Sequence, residues 1–453
     1  MRGAIRRTNS PRERGWGGTS HVRGSFDLHM FNPLKSKRAK AAAAAAAVAL
    51  GTLAAAGGAP NAGADPQQLS AAIGMGSDTI QGVTNAYAGF VNGVNYTPLQ
   101  SSAATGQRQL ISFDALDPSG AGALCVIPKP GAAAVYRPNG SSQGRRALAE
   151  ANGANGSGYG PNVNGAANPC GVKDYGGLID FARSSSGPAS GDTGTATTYI
   201  PMGRDAVNFA YYRASGGAAV TQLTIAQLQS IFTTGPQTIG GVQIIGCSIQ
   251  EGSGTRSFWD GIVSTGDPAE TAATATCRGA TTSFDQPGTS PGRIEENNPV
   301  ALKAKGDALN TGTTAGSEVI IGFSGANFIA KQNGVLGLTG GGNFPAAVGM
   351  GATELTAGSG TFVSPVTGTA PNMAPNTTFY ANTTFGRNTY YVLPTSLITG
   401  FGNLDIKSLF VGSSAAICTT AAQTTERLFG FETNTTKPCG DTTTQGSYLT
   451  GNT

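Results

Sequence analysis

Val242-Gln243-Ile244-Ile245-Gly246-Cys247, then Ser248-Ile249-Gln250-Glu251, then Gly252-Ser253-Gly254-Thr255-Arg256, then Ser257-Phe258-Trp259-Asp260-Gly261-Ile262-Val263 run on without a break. The first block reads as a buried strand, because apolar and β-branched residues dominate it. The last block carries Phe258, Ile262 and Val263 at helical spacing. Between them, glycines let the backbone turn and approach closely, and Ser253 suits the start of a helix. A helix N-terminus exposes unpaired N–H groups and a partial positive charge, so it favours an anion. Strand, Gly/Ser/Thr turn, helix is the building unit of an α/β protein.

The unit recurs on both sides. Upstream, Ser77-Asp78-Thr79 precede Ile80, Val83, Tyr87, Phe90 and Val91, which share one helical face, with Ser77 or Asp78 as the natural N-cap. Gln109 to Ala115 and Ala132 to Tyr136 are strand-like, and Gly140-Ser141-Ser142 opens a helix through Leu148. Gly177 to Phe181 reads as a strand leading into Arg183-Ser184-Ser185-Ser186, and Ala206 to Tyr212 as a buried one. Thr224-Ile225-Ala226-Gln227 is a capping box, leading a helix with Leu223, Leu228, Ile231 and Phe232 on one face and Gly235 as its stop. Downstream, Val319 to Phe323 and Thr389 to Pro394 are strands, and Thr420 to Gly430 is a closing helix. Residues 150–170 and 338–388 are rich in Gly, Asn and Thr and read as loops and short strands. Four times a strand or loop runs into a helix through Ser, Thr and Gly, more than ordinary capping explains.

The 453 residues suffice for two or three domains of ordinary size. The formal charge is +4, but residues 1–40 hold ten basic side chains against Glu13 and Asp27, a net +8, which leaves 4 − 8 = −4 for the remainder. The basicity belongs to the leader and gives no support to nucleic-acid binding. Lys35 to Lys40 form a positive segment, Ala41 to Ala56 an apolar run, and Ala62-Gly63-Ala64 a small-residue cleavage site. That is the pattern of a secretory signal peptide, with Met30 as the expected true start and export after cleavage near Ala64. All six cysteines (Cys125, Cys170, Cys247, Cys277, Cys418, Cys439) follow it, and an even count in an oxidising compartment predicts disulfides. Spacing does not choose among the pairings.

The two histidines are His21 and His29, so the exported part has none. This removes His-based triads and His-ligated metals. Gly140-Ser141-Ser142-Gln143-Gly144 matches the nucleophile-elbow pattern, but no histidine stands ready to take the Ser142 proton. Neither an enzyme nor a cofactor site is expected.

These junctions resemble the phosphate-binding subunit of ABC transporters, a type 2 periplasmic binding protein. The likeness lies in Gly76-Ser77-Asp78-Thr79, in Tyr136 through Gly144, and in Asp180-Phe181-Ala182-Arg183-Ser184-Ser185. It continues in Pro201 to Tyr212, in Gly252-Ser253-Gly254-Thr255-Arg256 before Phe258, and in Ile321-Gly322-Phe323 with Ala330-Lys331-Gln332-Asn333. Order and spacing hold from about residue 73 to 335, while 95–130 and 338–388 have no counterpart. The resemblance implies a two-lobed α/β fold with a hinge near 206–213 and 386–395 and a ligand cleft between the lobes. It places 65–210 and 389–453 in one lobe and 211–388 in the other, after a leader over 1–64. It further implies an extracytoplasmic, monomeric binding protein serving an ABC permease. The ligand would be inorganic phosphate or a similar oxyanion, held by Ser77, Asp78, Thr79, Ser141, Ser142, Ser184, Ser185, Ser253, Gly254 and Thr255, with charge from Arg183 or Arg256.

Two departures bear on the ligand. The family's Ser-Asp carboxylate is Ser185 here, and its Arg four residues before Ser253 is Ile249. Asp78 and Glu251 are the candidates to accept a phosphate proton in its place. A different small ligand and a secreted adhesive role remain the alternatives. Sequential cysteine pairing (Cys125–Cys170, Cys247–Cys277, Cys418–Cys439) is expected, since each bridge then falls within one lobe.

Overall fold

The computed structural model describes residues 70–89, 108–116, 124–156, 170, 174–264, 277, 293–335, 344–400 and 402–451. Of the two units into which the chain divides, Met1–Ala59 lies outside these residues, with the expected start at Met30. The cleavage site, Phe90 and Val91 lie outside them too. All that follows concerns Pro60–Thr453.

One mixed sheet organises the protein. Its strands are β1 (Ser70–Gly76), β2 (Arg108–Ser112), β3 (Phe181–Ser184), β4 (Thr197–Arg213), β5 (Gln237–Ile239), β6 (Val242–Gly246), β7 (Glu318–Ser324) and β8 (Gly386–Pro394). They lie in the order β2-β1-β3-β8-β4-β7-β6-β5. β1 pairs in parallel with β2 and β3, and β8 runs antiparallel between β3 and β4. β4, at 17 residues, changes partner along its length: Thr197 to Ala206 pair with β8, and Val207 to Arg213 with β7. That exchange divides the protein into its two lobes.

In the first lobe both faces of the sheet are covered, and successive residues alternate between two cores. Ala72, Leu110, Phe181, Tyr391 and Leu393 face one core with Val83 and Tyr87 of helix α1 (Gln81–Ala88). Their neighbours Ile73, Ile111, Ala182 and Val392 face the other, with Ala147 and Leu148 of α2 (Ser141–Ala151). The second lobe packs Phe209, Ile244, Ile245, Val319 and Ile321 against α3 (Ile225–Thr233), α4 (Gly254–Val263) and α5 (Pro299–Leu309). Trp259 fills its centre, so close to Gly322 that a Cβ there would lie 2.4 Å from the indole. A sixth helix, α6 (Gly325–Gln332), follows β7, and α7 (Thr420–Leu428) closes the first lobe. No described helix is long and apolar enough to cross a membrane.

The capping box forms at α3: the Thr224 hydroxyl accepts from the Gln227 N–H and the Gln227 side chain from the Thr224 N–H. Thr224→Ala is therefore expected to cost about 1 kcal/mol. Urea unfolding would read this as a lower midpoint at unchanged slope. Two local expectations are corrected. Neither Ser77 nor Asp78 caps α1; a turn intervenes, the N-cap position falls to Ile80, and the Ser77 hydroxyl accepts from the Thr79 N–H instead. The strand expected from Gly177 begins only at Phe181, because Gly177 turns the chain with a φ of +64°. All three disulfides join sequence neighbours, Cys125–Cys170, Cys247–Cys277 and Cys418–Cys439, with Cα separations of 5.6, 4.8 and 5.6 Å.

Candidate functional site

The strand-to-helix junctions converge where the lobes meet. The turn after β1, the N-terminus of α2 and the end of β3 come from the first lobe; the N-terminus of α4 comes from the second. Contact is close. Ser142 donates its N–H to the Gly252 carbonyl across the cleft at 2.9 Å. A Cβ on Gly254 would lie 2.3 Å from the Ser141 hydroxyl and 2.5 Å from that of Ser185, so any larger residue would have to push these hydroxyls aside. Ser77 and Ser141 each lie within 3.2 Å of the Ser185 hydroxyl, and the Ser185 N–H donates to Ser141 at 2.9 Å.

Beside these hydroxyls lies a carboxylate that sequence reasoning missed. Oε1 of Glu296 accepts from the N–H and the hydroxyl of Thr79, both at 3.2 Å. Its Oε2 accepts from the Ser253 hydroxyl and, at 3.3 Å, from the Thr255 N–H. Ser253 also caps α4, accepting from the Arg256 N–H. The Ser253 and Thr255 donors are thus those that the N-terminus of α4 offers an anion, and the Thr79 donors come from the turn after β1. Glu296 belongs to a short segment after Ile294, which pairs with Ile249, and its own N–H is held by Gln250.

A cation completes the group, and it is neither Arg183 nor Arg256. Arg183 is fully buried and donates through all three guanidinium nitrogens, to the carbonyls of Gly76, Ser77 and Phe113 and the hydroxyl of Ser112. It braces the turn after β1 from beneath. Arg256 pairs with Glu251 at 2.5 Å and Asp260 at 3.4 Å, and Glu251 also takes Arg293. Burial works to raise the Glu251 carboxyl, but these two arginines outweigh it and hold it below the usual range. Glu251 is thereby committed elsewhere. Ser184 turns away too, bonding the backbone of Ser186. The cation at the site is Arg387 of β8, whose Nη2 donates to the hydroxyls of Thr255 at 2.8 Å and Thr79 at 3.3 Å. Asp205 on β4 pairs with it at 2.8 Å. Its Nη1 is buried without a hydrogen-bond partner.

Asp78 and Glu295 form a second acidic pair alongside. Burial raises the Asp78 carboxyl well above its ordinary value, reinforced by Glu296 and Glu295. Its Oδ1 is sealed from water with no hydrogen-bond partner. Burial also lifts Glu295 to about 7, while bonds from Asp78 and Asn139 oppose the rise. The two carboxyls crowd one another and Glu296 in this buried corner, so neither is held down in the way an exposed carboxylate is. Burial lowers Lys331 to about 8, against the pull of these carboxylates, and its ammonium donates to the Asn297 carbonyl. Among the described residues no cluster of His, Cys, Asp and Glu is arranged to hold a metal ion.

Comparison with known proteins follows this geometry. A family model described as PBP superfamily domain matches residues 121–366, more than half of the chain. No curated protein matches. Among solved structures, an ABC-type phosphate transport receptor from Vibrio cholerae aligns over 80% of this chain and 100% of its own, at 12% identity and a TM-score of 0.41. PstS from Borrelia burgdorferi aligns over 80% and 98%, at 13% identity and a TM-score of 0.34. A possible phosphate-binding protein from Planctomyces limnophilus aligns over 73% and 82%, at 10% identity and a TM-score of 0.31.

Proposed function

The chain belongs to the PBP superfamily, and from that premise we propose that it is an exported, non-catalytic solute-binding protein whose cleft captures phosphate or a similar oxyanion for an ABC uptake system. One observation carries the reading. The donors of Thr79, Ser253 and Thr255 already gather around a two-oxygen anion, the Glu296 carboxylate, with Arg387 beside them. Such a set recognises an oxyanion by charge-assisted hydrogen bonds, drawn from both lobes at once. Carboxyl oxygens of Asp78 and Glu295 close by offer an acceptor that a protonated phosphate can use and a fully ionised sulfate cannot. The protein works as a monomer and hands its ligand to a membrane permease.

Calorimetric titration of residues 65–453 with phosphate and with sulfate tests this. Phosphate is expected to bind more tightly than sulfate. Ser253→Ala is expected to weaken phosphate by about 1.5–3 kcal/mol, the range for a hydrogen bond to a charged group. No binding of either anion, by the wild type and by a Glu296→Ala variant alike, would reject the reading.

A further inference from the structure

We infer that Glu296 is an intramolecular ligand: its carboxylate occupies the oxyanion position of the cleft, and an external anion binds only by displacing it. The inference rests on the oxyanion reading above.

Donor valence makes the exchange exclusive. The N–H groups of Thr79 and Thr255 carry one proton each, and both already point at Glu296. The hydroxyls of Thr79 and Ser253 likewise each have one proton, and both are given to it. A second anion at the same place would meet the Glu296 oxygens and find these donors already taken. Charge leads to the same result. Arg387 is already paired with Asp205, and the carboxyls of Asp78 and Glu295 crowd Glu296, so a second anion beside it meets like charge.

Glu296 also does what a captured ligand does in a two-lobed protein. Its Oε1 is bound by Thr79 of the first lobe and its Oε2 by α4 of the second, so one side chain latches both. The backbone around Glu296 is held independently of its carboxylate. The Glu296 N–H donates to Gln250 and the Asn297 side chain accepts from the Ser324 N–H, ties that do not depend on the contacts of the carboxylate. The cleft is therefore self-ligated when no solute is present, and an incoming anion exchanges with a resident one.

The experiment compares the wild-type exported chain with Glu296→Ala and Glu296→Gln at constant ionic strength. Inorganic phosphate and sodium acetate are the probes. Phosphate affinity is expected to rise about tenfold or more in Glu296→Ala, and by less in Glu296→Gln, which keeps the shape and an acceptor but loses the charge. Acetate, a free carboxylate, is expected to raise the melting temperature of Glu296→Ala and compete there with phosphate, and to do neither on the wild type. If Glu296→Ala fails to fold, Glu296→Gln decides the matter. Folded variants that bind phosphate no more tightly than the wild type would overturn the inference. Failure of all three proteins to bind phosphate is a separate result and, with the sulfate titration above also negative, it rejects the oxyanion reading itself.

Discussion

Asp205→Asn is expected to cost about 3–5 kcal/mol of folding stability, because it breaks a buried ion pair by removing one partner. Asp205 is fully buried, and both its oxygens are engaged. Oδ1 accepts from the Ser324 hydroxyl at 2.9 Å and the Ala326 N–H at 3.0 Å, which ties it to the start of α6. Oδ2 accepts from Nε and Nη2 of Arg387 at 3.1 and 2.8 Å. An asparagine must turn its NH2 toward one of these donor groups, so a repulsion replaces a bond while Arg387 keeps an uncompensated buried charge. Denaturant unfolding of Asp205→Asn, Arg387→Gln and the double variant measures the coupling. The double variant should recover part of the loss; a single-variant cost below about 1 kcal/mol would place the pair with weak surface bridges.

The second large effect has the opposite sign. Glu426 of α7 is 3% exposed and accepts a 2.8 Å bond from the Tyr87 hydroxyl. Burial raises its carboxyl to about 8, although the Tyr87 bond pulls the other way. Folded Glu426 thus holds a proton between the ordinary carboxyl range and about 8, where the unfolded chain has lost it. Stability therefore falls as pH rises through that window, and the full penalty is reached above it. With each pKa unit equal to about 1.4 kcal/mol, the penalty is on the order of 4 kcal/mol. Glu426→Gln keeps an oxygen for Tyr87 and removes the titration. Unfolding curves at about pH 5 and pH 9 should show little change at the lower pH and a gain of several kcal/mol at the higher one. Glu295 and Glu318, both raised to about 7, are common to the two proteins and cancel in the difference. Equal pH dependence in the two would show that Glu426 is charged when folded.

What the sequence reveals here is local. The Gly252 to Arg256 turn, the Thr224 capping box and the strand at Val319 each depend on residues a few places apart, and their physics is complete within that reach. The disulfides are not local in this sense, bridging 45, 30 and 21 residues, and their pairing is expected only because each then stays within one lobe. Glu296 and Arg387 escape it, because each acts at long range. Glu296 meets Thr79 across 217 residues, and Arg387 meets Asp205 across 182. An acidic doublet before an Asn-Asn-Pro helix start looks like ordinary solvated charge, and one arginine at the head of a strand looks like an edge. Arg183 failed in the reverse sense. A cation beside a serine run reads as a ligand contact, yet its donors serve carbonyls of the turn after β1, for which no side-chain pattern advertises a need.

The position of Arg387 in the sheet carries one more consequence. It faces Asp205 directly where β8 joins β4, next to the point at which β4 trades one partner for another. Points near an axle travel least when the wheel turns. A guanidinium mounted there keeps its place however far the lobes swing apart, whereas the hydroxyls and amides on the rims separate. Whatever the angle between the lobes, the Arg387–Asp205 pair marks the floor of the cleft. On the proposed reading, closure brings the rim donors to a point already set, so the sorting of one solute from another rests on the rims and not on the floor.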